Sequence, residues 1–112
     1  MANGVLQSTA GTNPAAMSSG TNTTIYQVPN DTFAIASVNI CNRGTGDSLV
    51  RLAISAAETP VDAEWIEYDT TVVAGGVLER TGIVIEAGKY IVTYANTASI
   101  SVMVYGIETA TS

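Results

Sequence analysis

From Thr23 onward the chain alternates apolar and polar side chains with a period of two, and no stretch holds a 3.6-residue period long enough for a useful helix. Successive residues of a strand face opposite sides, so this pattern calls for sheets with one dry face and one wet face. Alternating runs occupy 24–28, 33–42, 49–55, 64–71, 77–85, 89–95 and 99–107. The breaks between them carry turn chemistry. Pro29-Asn30-Asp31 places proline at a first corner, and Arg43-Gly44-Thr45-Gly46-Asp47 is rich in residues that tolerate positive φ. Pro60 interrupts a loop at 56–63, while Ala74-Gly75-Gly76 and Glu86-Ala87-Gly88 are further turns. Gly82 predicts a bend or break inside the fifth run. The expectation is an all-β domain, an antiparallel β-sandwich or jelly roll of about 7–8 strands.

Residues 1–22 read differently. They are mostly Ala, Ser, Thr, Gly and Asn, with no charge and neither period. Val5, Leu6 and Met17 are the sizeable apolar groups among them. The expected organisation is an extended N-terminal arm at 1–22, a β-sandwich domain at 23–108 and a short tail at 109–112. Such an arm has no core of its own, so it is expected to order on a neighbouring subunit through Val5, Leu6 and Met17. On that reading, deleting residues 1–20 leaves a folded domain.

The chain has 112 residues, enough for one domain with a core. It is 46% hydrophobic and 12% charged, about half the usual charged share. A surface so poor in charge suits a protein that is partly covered by partners. Ten acidic residues against Arg43, Arg51, Arg80 and Lys89 give a net charge of −6. That balance lacks the basic patch a phosphate backbone needs, which argues against nucleic acid as a partner. No apolar run approaches the ~18 residues of a membrane helix, and no basic-then-apolar leader opens the chain, so no membrane and a cytoplasmic site of assembly are expected. The single Cys41 lies in an alternating run and reads as a small buried hydrophobe.

Catalytic chemistry has few candidates. There is no histidine, which removes the commonest general base and the usual zinc ligand. Glu58, Asp62, Glu64, Glu67 and Asp69 crowd together. Glu67 and Asp69, two apart on a strand beside Trp65, would be ~7 Å apart and could serve glycoside hydrolysis. The plainer reading is a solvated acidic strand face, and it is preferred, because so short a chain leaves little room for a cleft. No calcium loop is present, and Gly44-Thr45-Gly46 is a turn rather than a phosphate cradle. No catalytic residue, metal ligand or cofactor site is therefore assigned. Trp65, Tyr90 and Tyr94 join Val5, Leu6 and Met17 as candidate partner contacts, since aromatic rings supply apolar area with a polar tip.

Several short runs carry a resemblance. They are Tyr26-Gln27-Val28-Pro29, Val38-Asn39-Ile40-Cys41-Asn42-Arg43-Gly44, Val50-Arg51-Leu52-Ala53-Ile54-Ser55, Ile66-Glu67-Tyr68-Asp69, Leu78-Glu79-Arg80-Thr81-Gly82-Ile83 and Val104-Tyr105-Gly106. Over about residues 24–107 the chain resembles small virion structural proteins of tailed bacteriophages, most of all the capsid decoration (cement or staple) proteins of short-tailed phages. The resemblance implies a β-sandwich or jelly roll without a cofactor that binds the outside of the capsid shell. The major capsid protein would be the partner, with copies sitting on the shell as dimers or trimers. The virion, assembled in the host bacterial cytoplasm, would be the location. Related domains occur in phage tails and fibres, so the alternative is a tail module that binds host carbohydrate through Trp65 and nearby tyrosines.

Overall fold

A computed structural model of the chain describes residues 4–6 and 13–111. Residues 1–3 and 7–12 of the expected arm, and Ser112 of the expected tail, lie outside the described residues. Nine strands form. They are β1 (Gly4–Val5), β2 (Ala15–Ala16), β3 (Thr23–Gln27), β4 (Thr32–Asn42), β5 (Ser48–Ser55), β6 (Trp65–Val72), β7 (Val77–Ile85), β8 (Tyr90–Ala95) and β9 (Ile100–Ala110). A 3-10 turn, Asp62–Glu64, precedes β6. The chain is all-β and antiparallel, and the seven alternating runs correspond to β3–β9.

The strands make two sheets in a sandwich-like arrangement. One runs β1-β9-β4-β7, with β2 also paired to β9; the other runs β3-β8-β5-β6. Burial follows the alternation that predicted the strands. Along β4 the even-numbered residues Thr32, Ala34, Ala36, Val38, Ile40 and Asn42 are all buried. Ala34, Ala36, Val38 and Ile40 join Val50, Leu52 and Ile91 of the second sheet in one cluster with Ile25, Ile85, Val102 and Val104. Fully burying each such aliphatic side chain stabilises the fold by roughly 1.5–3 kcal/mol, so this cluster is the main favourable term.

Two polar groups inside the sandwich are satisfied by their surroundings. Buried Asn42 donates to Gly46 O at 2.8 Å and Val72 O at 3.0 Å, and accepts from Gly44 N–H at 2.9 Å and Ser99 Oγ at 3.1 Å. It thereby uses both donors and its carbonyl to lock the turn after β4. Tyr26, on β3, donates its hydroxyl to the Glu108 carboxylate on β9, joining the two sheets through a buried hydrogen bond.

That tyrosine has a consequence at high pH. Burial, then the hydrogen bond and the charge of Glu108, push the Tyr26 pKa far up. The stability this contributes is complete below the unfolded value of about 10. Above it the unfolded chain ionises while the folded chain does not, so stability falls by about 1.4 kcal/mol per pH unit from this residue. Urea titrations from pH 9 to 11.5 should therefore give a shallower decline for Tyr26→Phe than for the wild type. Identical slopes would remove Tyr26 as the cause.

The arm expected at 1–22 is corrected by its own contacts. Ala15 and Ala16 pair with Val102 and Ser101, and Gly4 and Val5 pair with Glu108 and Ile107. Asn13 closes a two-way link with Val104, its Nδ2 donating to the carbonyl and its Oδ1 accepting from the N–H, each at 2.9 Å. Met17 is 3% exposed, donates its N–H to Ile100 O at 2.9 Å and accepts from Thr93 Oγ1 at its sulfur. Leu6 packs half-buried against the core. Residues 4–6 and 13–17 thus lie along the outer edge of β9, Ser19 and Gly20 bond to Asn96 and Ala95 at the end of β8, and Ala15 and Met17 join the core. Met17 is a core residue, not a free contact. Sequence alone could not find this, because two-residue strands have no measurable period.

Candidate functional site

Two surfaces stand out, one on the outer face of each sheet. On the first sheet, cross-strand register aligns Val5 of β1 with Ile107 of β9, Ile107 with Ile35 of β4, and Ile35 with Val84 of β7. All four are exposed, from 38% at Ile35 to 73% at Val5. With strands about 4.8 Å apart, they form an apolar row roughly 14 Å across. Met103 and Tyr105 extend it along β9 and Val77 lies further along β7, all exposed. The odd-numbered positions of β9 point outward because the even-numbered 102, 104 and 108 are buried. Strand sequence explains half of this face. The rest depends on which strands become neighbours.

The second surface is built on β5, β6 and β8. Arg51 pairs directly with Tyr94. Opposite Arg51 on β6 the register skips: Val50 pairs with Thr70 and Leu52 with Glu67, leaving Tyr68 and Asp69 both against one residue. This is a β-bulge, and Asp69 within it has a positive φ of 53°. The bulge aims both side chains at Arg51. The guanidinium lies 4.1 Å from the Tyr68 ring centroid and 4.2 Å from that of Tyr94, and its Nε donates to Asp69 Oδ1 at 2.7 Å. Trp65 meets Tyr68 edge-on, centroids 5.8 Å apart and planes at 71°. A cleft of about 400 Å³ lined by Asp62, Trp65 and Tyr68 opens beside them. Glu64 fixes the turn that carries Asp62, since its carboxylate accepts from the N–H groups of Val61 and Ala56, both at 2.9 Å, which holds its pKa below the usual range.

The expected contact residues therefore separate. Trp65 and Tyr94 belong to the second surface, and Val5 to the first. Tyr90 is half-buried and pairs with Ser55, one row beyond Ile91. Leu6 and Met17 face inward. Arg51 and Tyr68 were not among the expected contacts. Their signal was weak, because strict alternation puts Tyr68 on the opposite face from Asp69 and only the bulge unites them.

The same bulge separates the two carboxylates considered for glycoside hydrolysis. Glu67 is engaged by Arg80 and by Thr70 Oγ1, the latter at 2.7 Å, whereas Asp69 holds Arg51. Arg80 lies on β7, so its pair with Glu67 ties one sheet to the other along an edge. Among the described residues no group of three His, Cys, Asp or Glu side chains could hold a metal ion, and no helix is long and apolar enough to cross a membrane. No protein-family model, curated protein or solved structure matches the chain.

Proposed function

We propose that this chain is a non-enzymatic virion structural protein that binds the outer surface of a phage capsid and stabilises it by clamping neighbouring major capsid protein subunits. The observation that carries the reading is the exposed row Val5–Ile107–Ile35–Val84. Soluble monomers rarely expose contiguous apolar patches beyond a few hundred Å², and larger ones mark contact surfaces. The four residues of the row carry no charge, and the nearby Glu79 carboxylate accepts a hydrogen bond from Tyr105 at the margin of the face. Two further points support it. We read the two antiparallel sheets, β1-β9-β4-β7 with β2 beside β9 and β3-β8-β5-β6, as an elaborated jelly roll, an architecture used by viral capsid and lectin domains. The sequence resemblance to decoration proteins of short-tailed phages points the same way. Copies would sit on the shell exterior as dimers or trimers, and small contacts repeated over many copies would add up through avidity.

Expanded empty shells mixed with the protein should carry it down on sedimentation. Ile107→Lys with Val84→Lys should weaken that binding at least tenfold, about 1.4 kcal/mol. Both residues are exposed, so the variant should keep its fold to within about 1 kcal/mol. Undiminished binding by the folded variant would discard this face, and absence of wild-type binding would discard the function.

The second reading, a tail or fibre module binding host carbohydrate, is favoured by the cleft at Trp65, Tyr68 and Asp62. A glycan array with Trp65→Ala as control separates the two. Saturable binding lost in the variant supports the carbohydrate reading.

A further inference from the structure

We infer that the Asp62–Trp65–Tyr68 cleft binds an alkylammonium group, the head of a lysine side chain presented by a protein partner. Three observations converge on a cation. The first is the chain's own use of this surface: the Arg51 guanidinium lies 4.1 Å from the Tyr68 centroid, so one of the two cleft rings already holds positive charge on a face. Arg51 is neutralised by Asp69 at 2.7 Å, so it does not repel a second cation nearby.

The second is the carboxylate. Asp62 lines the cleft, and none of the four basic side chains of the chain reaches it. Arg51 is held by Asp69, Arg80 by Glu67 and Lys89 by Glu86, while Arg43 donates to Ser101 Oγ and Ala98 O. Asp62 is exposed to solvent, so its carboxylate is open to a cation from another molecule, which a net charge of −6 draws in.

The third is shape. Trp65 and Tyr68 stand at 71° and make a corner. A corner with a carboxylate suits a compact ammonium head, whereas the flat face of a pyranose stacks on a single open ring. A metal ion is disfavoured by the donors, since no three carboxylates converge among the described residues.

That the lysine belongs to a capsid subunit rests on the proposed function; cation binding by the cleft does not. Trp65 is the only tryptophan, so its fluorescence reports the cleft directly. The full chain would be titrated with N-acetyl-lysine methylamide and with tetramethylammonium chloride, each against sodium chloride at matched ionic strength, and separately with glucose, galactose and N-acetylglucosamine. The expected result is a saturable change with both ammonium probes at millimolar concentration, weakened by added salt, and none with the sugars. Asp62→Asn should lower the affinity about fivefold, and Asp47→Asn, remote in the turn after β4, should leave it unchanged. No saturable response to either ammonium probe overturns the inference. So does saturation by a sugar that ignores salt and Asp62→Asn, an outcome that would instead favour the carbohydrate reading. Loss of shell binding with ammonium binding intact would remove the proposed function and leave the cleft's chemistry standing.

Discussion

Deleting residues 1–20 should lower the unfolding midpoint of this protein by at least 20 °C, and the truncated chain should not behave as a free-standing sandwich. The reason is Met17. It is 3% exposed, its N–H is bonded to Ile100 and its sulfur to Thr93, so it contacts both sheets. Replacing a buried Met by Ala costs about 2–5 kcal/mol, against a total stability of about 5–15 kcal/mol for a domain. Deletion also removes buried Ala15 and the pairing of β1 and β2 with β9. The outer edge of β9 is then left with unpaired N–H and C=O groups, a template for aggregation. At this size each kcal/mol moves the midpoint by about 4–8 °C. Met17→Ala alone, followed by thermal and urea unfolding, isolates the side chain from the backbone loss. A truncation melting within a few degrees of the full chain would show that the segment is dispensable after all.

Gly106→Ala should be nearly as damaging, costing about 3–6 kcal/mol. Gly106 sits opposite Ala36 in the β4–β9 pair with φ of 148°, a region that side chains rarely enter. The backbone conformation alone costs a non-glycine residue about 1–3 kcal/mol. Overpacking adds about as much again, because a Cβ there would lie 2.1 Å from Ile35 O and 3.0 Å from Ala36 Cα. These are backbone atoms of a central strand and cannot rotate aside. Relief would require β4 and β9 to separate, which would also disturb the apolar row at Ile35 and Ile107. Gly46→Ala is the control, with nothing within 4 Å of its Cβ and no positive φ, and should change stability by less than about 1 kcal/mol. Equal stabilities for the two variants would refute the close approach at Gly106.

Much of the fold was legible because burial in an antiparallel strand follows alternation directly. Val38 and Ile40 face the core and Asn39 does not, as their spacing predicts, whereas Cys41, expected to be buried, is only half-buried because it occupies an outward-facing odd position of β4. Gly82 was readable as a break. It has φ of 68°, and the β4–β7 register slips there between Ile83 and Arg80. The candidate site was legible only in part. Trp65 and Tyr94 stood out by residue type. Their link through Arg51 and Tyr68 did not, because a bulge is a property of a strand pair and neither strand carries it alone. The docking of the described residues of the expected arm escaped the sequence for a related reason. Short uncharged segments look alike whether they fray or dock, and the outcome depends on whether an edge such as that of β9 is open to receive them.

The period of two by itself determined that this chain forms strands, where most of them begin and end, and which side chains of each are dry. Its charge balance determined that an acidic, charge-poor surface had to be arranged around that core. Only the tertiary structure decided which strands are neighbours, because hydrophobic burial is satisfied by many pairings and does not specify one. That choice turned four separately ordinary residues, Val5, Ile35, Val84 and Ile107, into one apolar row. It brought Tyr68 and Asp69 to the same arginine, and it drew Met17 from a polar N-terminal segment into the space between the sheets.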